Sequence, residues 1–189
     1  MPNAVHWIII CSLLTQPAFA APRNYVLQPD ISDVTFDVPF GPDLITGSFP
    51  IARADLTLDF DNVAASTIAV DLDVTGAKAS FPFAASAMRG PKVLDAQTYP
   101  TISFVSSTVA RDGKDAIITG NITLRGVTKP AVLRATIWRQ KGHEAGDLSA
   151  LTIRLTGQLN RLDFGAAGWA DMVGDTVNLD IMARIKRVD

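Results

Sequence analysis

Histidine and cysteine, the side chains most often used as nucleophile, base or soft metal ligand, are nearly missing from this chain. It carries two histidines, His6 and His143, and one cysteine, Cys11. His143 sits in Lys141-Gly142-His143-Glu144-Ala145-Gly146, which reads as a solvated turn. No His–Cys nucleophile pair and no two-histidine metal site can be assembled beyond residue 20. Nucleophile-elbow, phosphate-loop and dinucleotide fingerprints are also missing. Two same-face carboxylate pairs remain, Asp59/Asp61 and Asp71/Asp73, a spacing that can offer oxygen ligands to a hard cation. Asp71 and Asp73, however, alternate with Val70, Leu72 and Val74, and outward charge of this kind keeps a sheet soluble and its edges unpaired. Both pairs are read as solvated. The residues thus predict a protein that is not an enzyme, with no catalytic residue, no metal and no cofactor.

Aromatic side chains are the other chemically distinctive group. Phe36, Phe40, Phe49, Phe81 and Phe83 fall in the first half, and Tyr99, Phe104, Trp138, Phe164 and Trp169 in the second. Rings so placed either fill a core or line an apolar cavity, and composition alone does not choose between the two.

The elements that must position them are strands. Alternation with a period of two is clean in Asp55–Phe60, Thr67–Val74, Leu151–Leu159 and Val177–Ile185, and shorter runs fit Val34–Val38, Thr101–Val105, Ala116–Leu124 and Ala131–Trp138. Turn residues divide the runs, and Asp112-Gly113 is a strong hairpin signal. Only Phe83–Arg89 reads as helix, stopped by Gly90-Pro91. Gly120 and Gly157 interrupt the apolar face of their strands, where a bend or a close approach would call for them. Hairpin-connected strands of about nine or ten residues, apolar on one face, predict an all-β domain that closes as a barrel or packs as a sandwich. An eight-stranded barrel can fill with its own side chains or hold one small ligand. A ten-residue strand tilted near 40° would give a barrel roughly 25 Å tall.

Residues 1–20 read differently. They contain no Lys, Arg, Asp or Glu. Trp7–Leu14 is apolar, Pro17 breaks it, and Ala18-Phe19-Ala20 is a small-x-small cleavage site. That order is the order of a secretory signal peptide, although its first residues lack Lys and Arg. Cleavage would remove Cys11 and leave a thiol-free domain over 21–189, suited to the oxidising periplasm. The whole chain has 189 residues, 48% of them hydrophobic, with 17 Lys+Arg against 19 Asp+Glu. That balance excludes a basic nucleic-acid binder and an acidic disordered chain. No apolar run reaches the roughly 18 residues of a membrane span.

Four segments carry a resemblance. Asp95-Ala96-Gln97-Thr98-Tyr99-Pro100-Thr101-Ile102-Ser103-Phe104 fits D-x-x-x-Y-P-x-I-x-F. Gly120–Pro130 resembles G-x-L-T-x-x-G-V-T-x-P, Asn160–Gly165 resembles N-R-x-D-F-G, and Val173–Val177 resembles V-G-D-x-V. In that order, with the opening Tyr25–Phe36, they resemble the YceI-like family of polyisoprenoid-binding periplasmic proteins. The resemblance implies an extended lipocalin-like, eight-stranded antiparallel barrel around a long apolar pocket, with a short helix near residues 83–90. It implies polyprenyl chains with a polar head, either isoprenoid phosphates or quinone-like compounds, as ligands, and no catalytic residues.

On that reading Arg89, which matches the family's arginine, and Arg161, beside Phe164, are the candidate cations for a head group, since a guanidinium can give a phosphate two bonds at once. Arg161 can equally pair with Asp163 or tie down a loop. Met88, Val93, Leu94, Tyr99, Phe104, Phe164 and Trp169 are the candidate lining residues. Val93 and Leu94 replace bulkier aromatics of the family and would widen the opening, and Arg125 stands where the family often has histidine. The expected role is a periplasmic binding or carrier protein for a long apolar lipid held inside the barrel. The alternative is a ligand-free interaction module that partners a membrane electron-transfer protein. A greasy mouth also allows a homodimer.

Overall fold

The computed structural model describes residues 21–140, 142–144 and 146–188. The leader expected at Met1–Ala20 lies outside the described residues. The strands are β1 (Arg23–Leu27), β2 (Asp33–Phe40), β3 (Asp43–Ser48), β4 (Ile51–Leu58), β5 (Thr67–Asp73), β6 (Lys78–Ala79), β7 (Thr101–Asp112), β8 (Asp115–Leu124), β9 (Val127–Arg139), β10 (Ala150–Asn160) and β11 (Thr176–Arg187). Among the described residues there is one α-helix, α1 (Pro82–Arg89), which starts on a proline, as its fixed φ favours, and gives way to extended backbone at Gly90, just before Pro91. No described helix is long and apolar enough to cross a membrane.

Every strand pairing is antiparallel, and the circuit β1-β4-β5-β7-β8-β9-β10-β11 closes when β1 meets β11, from Tyr25↔Arg187 to Leu27↔Ile185. This is the eight-stranded barrel that the resemblance implies. Closure leaves no edge along the circuit to recruit another chain.

Its first two walls are one bent hairpin. β2 pairs β3 from Thr35↔Ser48 to Phe40↔Asp43, and β1 pairs β4 from Arg23↔Leu58 to Tyr25↔Leu56. The turn at Pro29–Ile31 and Phe49-Pro50 shift the second register against the first. β11 is long enough to hold both halves, β2 along Asn178–Met182 and β1 along Ile185–Arg187. The β2–β3 half therefore rises past the barrel at the end where β10 finishes and β11 begins.

That end is open and the other is shut. Tyr25, Leu58, Leu151 and Ile185 form a buried cluster with Phe60 packed against it, and Ile185 has 0% exposure. At the open end α1 and residues 90–100 fold over the rim. There Val74, Leu94, Ala96, Ile102, Ile122 and Phe164 form a second buried cluster, with Met88 and Val93 against it.

Candidate functional site: an apolar tunnel with one mouth

The inward residues of the strands do not fill the barrel. A cavity of about 440 Å³ runs inside it, bordered by residues from the shut end, such as Leu58 and Ile185, to the open end, such as Phe40 and Trp169. That volume lies within the roughly 300–1,000 Å³ of small-molecule sites. Two glycines help keep it hollow. A Cβ on Gly120 would lie 2.6 Å from the Phe104 ring, and one on Gly157 would lie 2.7 Å from Leu133. The large side chain lies flat over the missing one, against the wall, instead of projecting across the lumen.

The lining is apolar almost throughout. Among the described residues only Thr35, Asp59, Ser66 and Arg161 bring a charged, hydroxyl or carboxyl side chain to it. Thr35 donates its hydroxyl proton to the Asp180 carbonyl, 2.6 Å away. A wall of this kind offers dispersion and exclusion of water to an alkyl chain and little to a polar one.

The mouth lies among α1, the β2–β3 tip and residues 165–174. Phe81, Phe83, Trp169 and Met172 border the cavity and are also exposed, Phe83 to 73%. The Phe81 and Phe83 rings stack with centroids 6.0 Å apart. Leu44, on the hairpin, adds to the exposed apolar surface, and the hairpin tip is tied to the opposite loop by Gly41 N–H to the Met172 carbonyl and Gly174 N–H to the Pro39 carbonyl. Trp169 has φ of 54°, a left-handed backbone uncommon for a bulky residue. Its carbonyl accepts from both Met172 and Val173.

Arg161 holds this loop. It is 8% exposed, and its Nε donates to the Gly174 carbonyl, Nη1 to Ala166 and Gly168, and Nη2 to Val173. Burial lowers its pKa from the ordinary value, opposed by the charge of Asp175. Of the roles open to it in the sequence, this is the loop tie, made through carbonyls. Asn160, just before it, accepts from Leu162 N–H. Arg125 does the same work on the other side of the rim, donating Nη1 to the carbonyls of Pro91 and Val93.

The expected lining residues divide. Met88, Val93, Leu94, Phe104, Phe164 and Trp169 border the cavity. Tyr99 does not. Its ring lies against Gly126, outside the lumen, where it joins two of the resemblance's motifs. Leu94 is buried beside Phe164 rather than on the exposed rim, so the rim is made by Phe81, Phe83, Trp169 and Met172. Arg89 is exposed, is not on the cavity wall, and donates to the carbonyls of Ala85 and Thr75.

One assignment is overturned outright. Asp59, read as solvated, is 6% exposed and borders the cavity, whereas Asp61 is exposed as expected. The strand ends at Leu58 and the chain turns inward, so alternation no longer decides where residue 59 points. Asp73 keeps its place outside, its pKa lowered by the Thr75 hydroxyl. No group of three potential metal ligands occurs among the described residues. His143 is exposed and hydrogen-bonds Asp147 at 2.7 Å.

Comparison with known proteins agrees with this architecture. A UPF0312 protein of Pseudomonas putida strain W619 is 32% identical over 142 residues, 75% of this chain and 73% of its own. Protein YceI of Escherichia coli is 34% identical over 91 residues, 48% of each chain. The crystal structure of Burkholderia cenocepacia BcnA superposes with a TM-score of 0.76 over 84% of this chain and 99% of that one, at 21% identity. A fold and family of this kind support a binding protein. The YceI-like domain model matches residues 25–185, and the chain belongs to that family.

Proposed function

We propose that this protein is an exported, periplasmic carrier that holds a long apolar lipid, of the polyisoprenoid or quinone-like kind, inside its barrel. The observation that carries the reading is the tunnel of about 440 Å³ with apolar walls. Each methylene buried there contributes on the order of 0.8 kcal/mol before ordering costs. At the roughly 30 Å³ share of a water molecule, the volume takes on the order of fifteen heavy atoms. Longer chains would emerge at the mouth, where Phe81, Phe83, Trp169 and Met172 extend the apolar surface outward.

That same exposed rim favours the competing use, an interface for a membrane electron-transfer protein or for a second copy of the chain. The purified native protein separates the two. Its organic extract, analysed by mass spectrometry, should hold a polyprenyl or quinone-like lipid near one per chain. A clean extract, together with failure of the protein to take up geranylgeraniol, would overturn the carrier and leave the interface.

A further inference from the structure

The floor of the tunnel has a polar group that the carrier reading does not use. Asp59 follows β4 at the shut end, and its Oδ1 accepts from the N–H groups of Asp61 and Asn62 at 2.9 and 2.7 Å. The Ser66 hydroxyl accepts from Asp59 N–H at 3.0 Å and gives its own proton to the Asp59 carbonyl. These bonds complete the turn, and among the described residues none donates to Asp59 Oδ2. The side chain is more than nine-tenths buried, and it borders the cavity together with Phe60, Val63 and Ser66. Asp59 brings the one carboxylate to this lining among the described residues, and with Oδ1 held by the turn its Oδ2 is the oxygen left to accept from a ligand. Arg111, at the same end, gives its Nη2 to the Phe60 carbonyl.

We propose that Asp59 Oδ2 is a recognition point for a hydrogen-bond donor on the inner end of the ligand, so that the lipid sits head-inward with an alcohol, quinol or amide N–H on the floor. The inference rests on the tunnel being a lipid site and deepens that reading by naming the head chemistry. Heads that only accept, such as ethers, esters and oxidised quinones, meet a carboxylate with nothing to give. Anionic heads meet its charge. β4 rises roughly 20 Å from Ile51 to Leu58, so a head on the floor leaves its tail pointing out past the aromatic rim. Both arginines considered for the head group lie away from this point: Arg161 ties the mouth loop and Arg89 is off the cavity wall.

The probes are geranylgeraniol and its methyl ether, which share a chain and differ in one donor. Their affinities are measured by displacement of a fluorescent fatty-acid analogue from the full mature protein. Geranylgeraniol should bind about tenfold more tightly or better, as a hydrogen bond to a charged group requires. In Asp59→Asn the side-chain oxygen can still complete the turn while an NH₂ replaces Oδ2, so the preference should vanish or reverse. Equal affinities for the two probes in the native protein would overturn the floor site and leave the tunnel reading intact. Binding of neither probe would overturn the tunnel reading itself. The comparison within the native protein needs no variant to fold, and a melting curve shows whether Asp59→Asn does.

Discussion

Four carbonyls converge on one guanidinium at Arg161, and that geometry sets what its replacement does. Lysine keeps the charge but has a single nitrogen and no planar fork, so it cannot reach Gly174, Ala166, Gly168 and Val173 together. Arg161→Lys should therefore destabilise the protein by about 2–3 kcal/mol, since carbonyls buried without donors cost 1–3 kcal/mol each. Hydrogen exchange should show the loss concentrated in residues 161–175. A uniform loss of protection across all strands would contradict the loop-tie role. A second residue-scale prediction concerns Asp147. Hydrogen bonds from His143 and then Ser149 hold its carboxyl well below the ordinary value of 3.8. A folded-state pKa below the unfolded one gives stability that is present above about pH 4 and lost as pH falls through the folded value. His143→Ala should raise the Asp147 midpoint in a carboxyl NMR titration and shrink that acid-side loss. An unmoved midpoint would show that the bond does not persist in solution.

At the scale of elements, the long strands were legible in the sequence because each has one face in the lumen and one in water. β10 and β11 alternate over their full length, so inward residues such as Leu155 and Leu179 could be told from Thr156 and Asp180. β1, β3 and β6 were not legible. β1 has five residues with only Tyr25 buried, β3 has no buried residue and is exposed at Asp43, Leu44 and Thr46, and β6 is a single pair of residues. Their pairing depends on a bend made elsewhere. Asp59 was misplaced for a related reason: Asp59-Phe60-Asp61-Asn62 is a turn sequence, and side-chain parity ends where the strand does. The signal available was the aspartate two and three residues before turn amides. Gly120 was legible as a close-approach site, and what approaches is the Phe104 ring together with the Val105 carbonyl, opposite the irregularity of β7 at Ser106–Thr108. Gly120→Ala should cost about 1–3 kcal/mol and lower the melting temperature by several degrees. A variant as stable as the parent would mean that the ring moves aside freely. On α1, Ala87 borders the cavity beside the mouth and is half-buried. Ala87→Trp should slow uptake of geranylgeraniol by about tenfold in stopped flow, with little change in melting temperature. An unchanged association rate would place the entrance elsewhere.

For the whole molecule, capacity follows from the volume. Affinity for a series of prenyl alcohols should climb with each added unit while the chain still finds wall to cover, then level off once carbon emerges at the rim. On the volume above the plateau begins on the order of fifteen to twenty carbons. A titration series that keeps climbing far past that length would mean the barrel yields to its cargo; a flat series from the shortest chain would mean that the lumen is not where binding occurs. The sequence motifs could not supply this number, because a volume depends on how Phe104 and Leu133 lie against opposing glycines, and no pattern in one strand encodes a contact with the next.

The cluster of Tyr25, Leu58, Leu151 and Ile185 turns the barrel into a blind alley. Anything that goes in must back out by the door it used, tail leading if its head went first. Such a vessel cannot act as a conduit between two compartments. As the carrier proposed above, it would pick up, hold and hand back, with the direction of traffic set by whichever neighbour stands at the threshold.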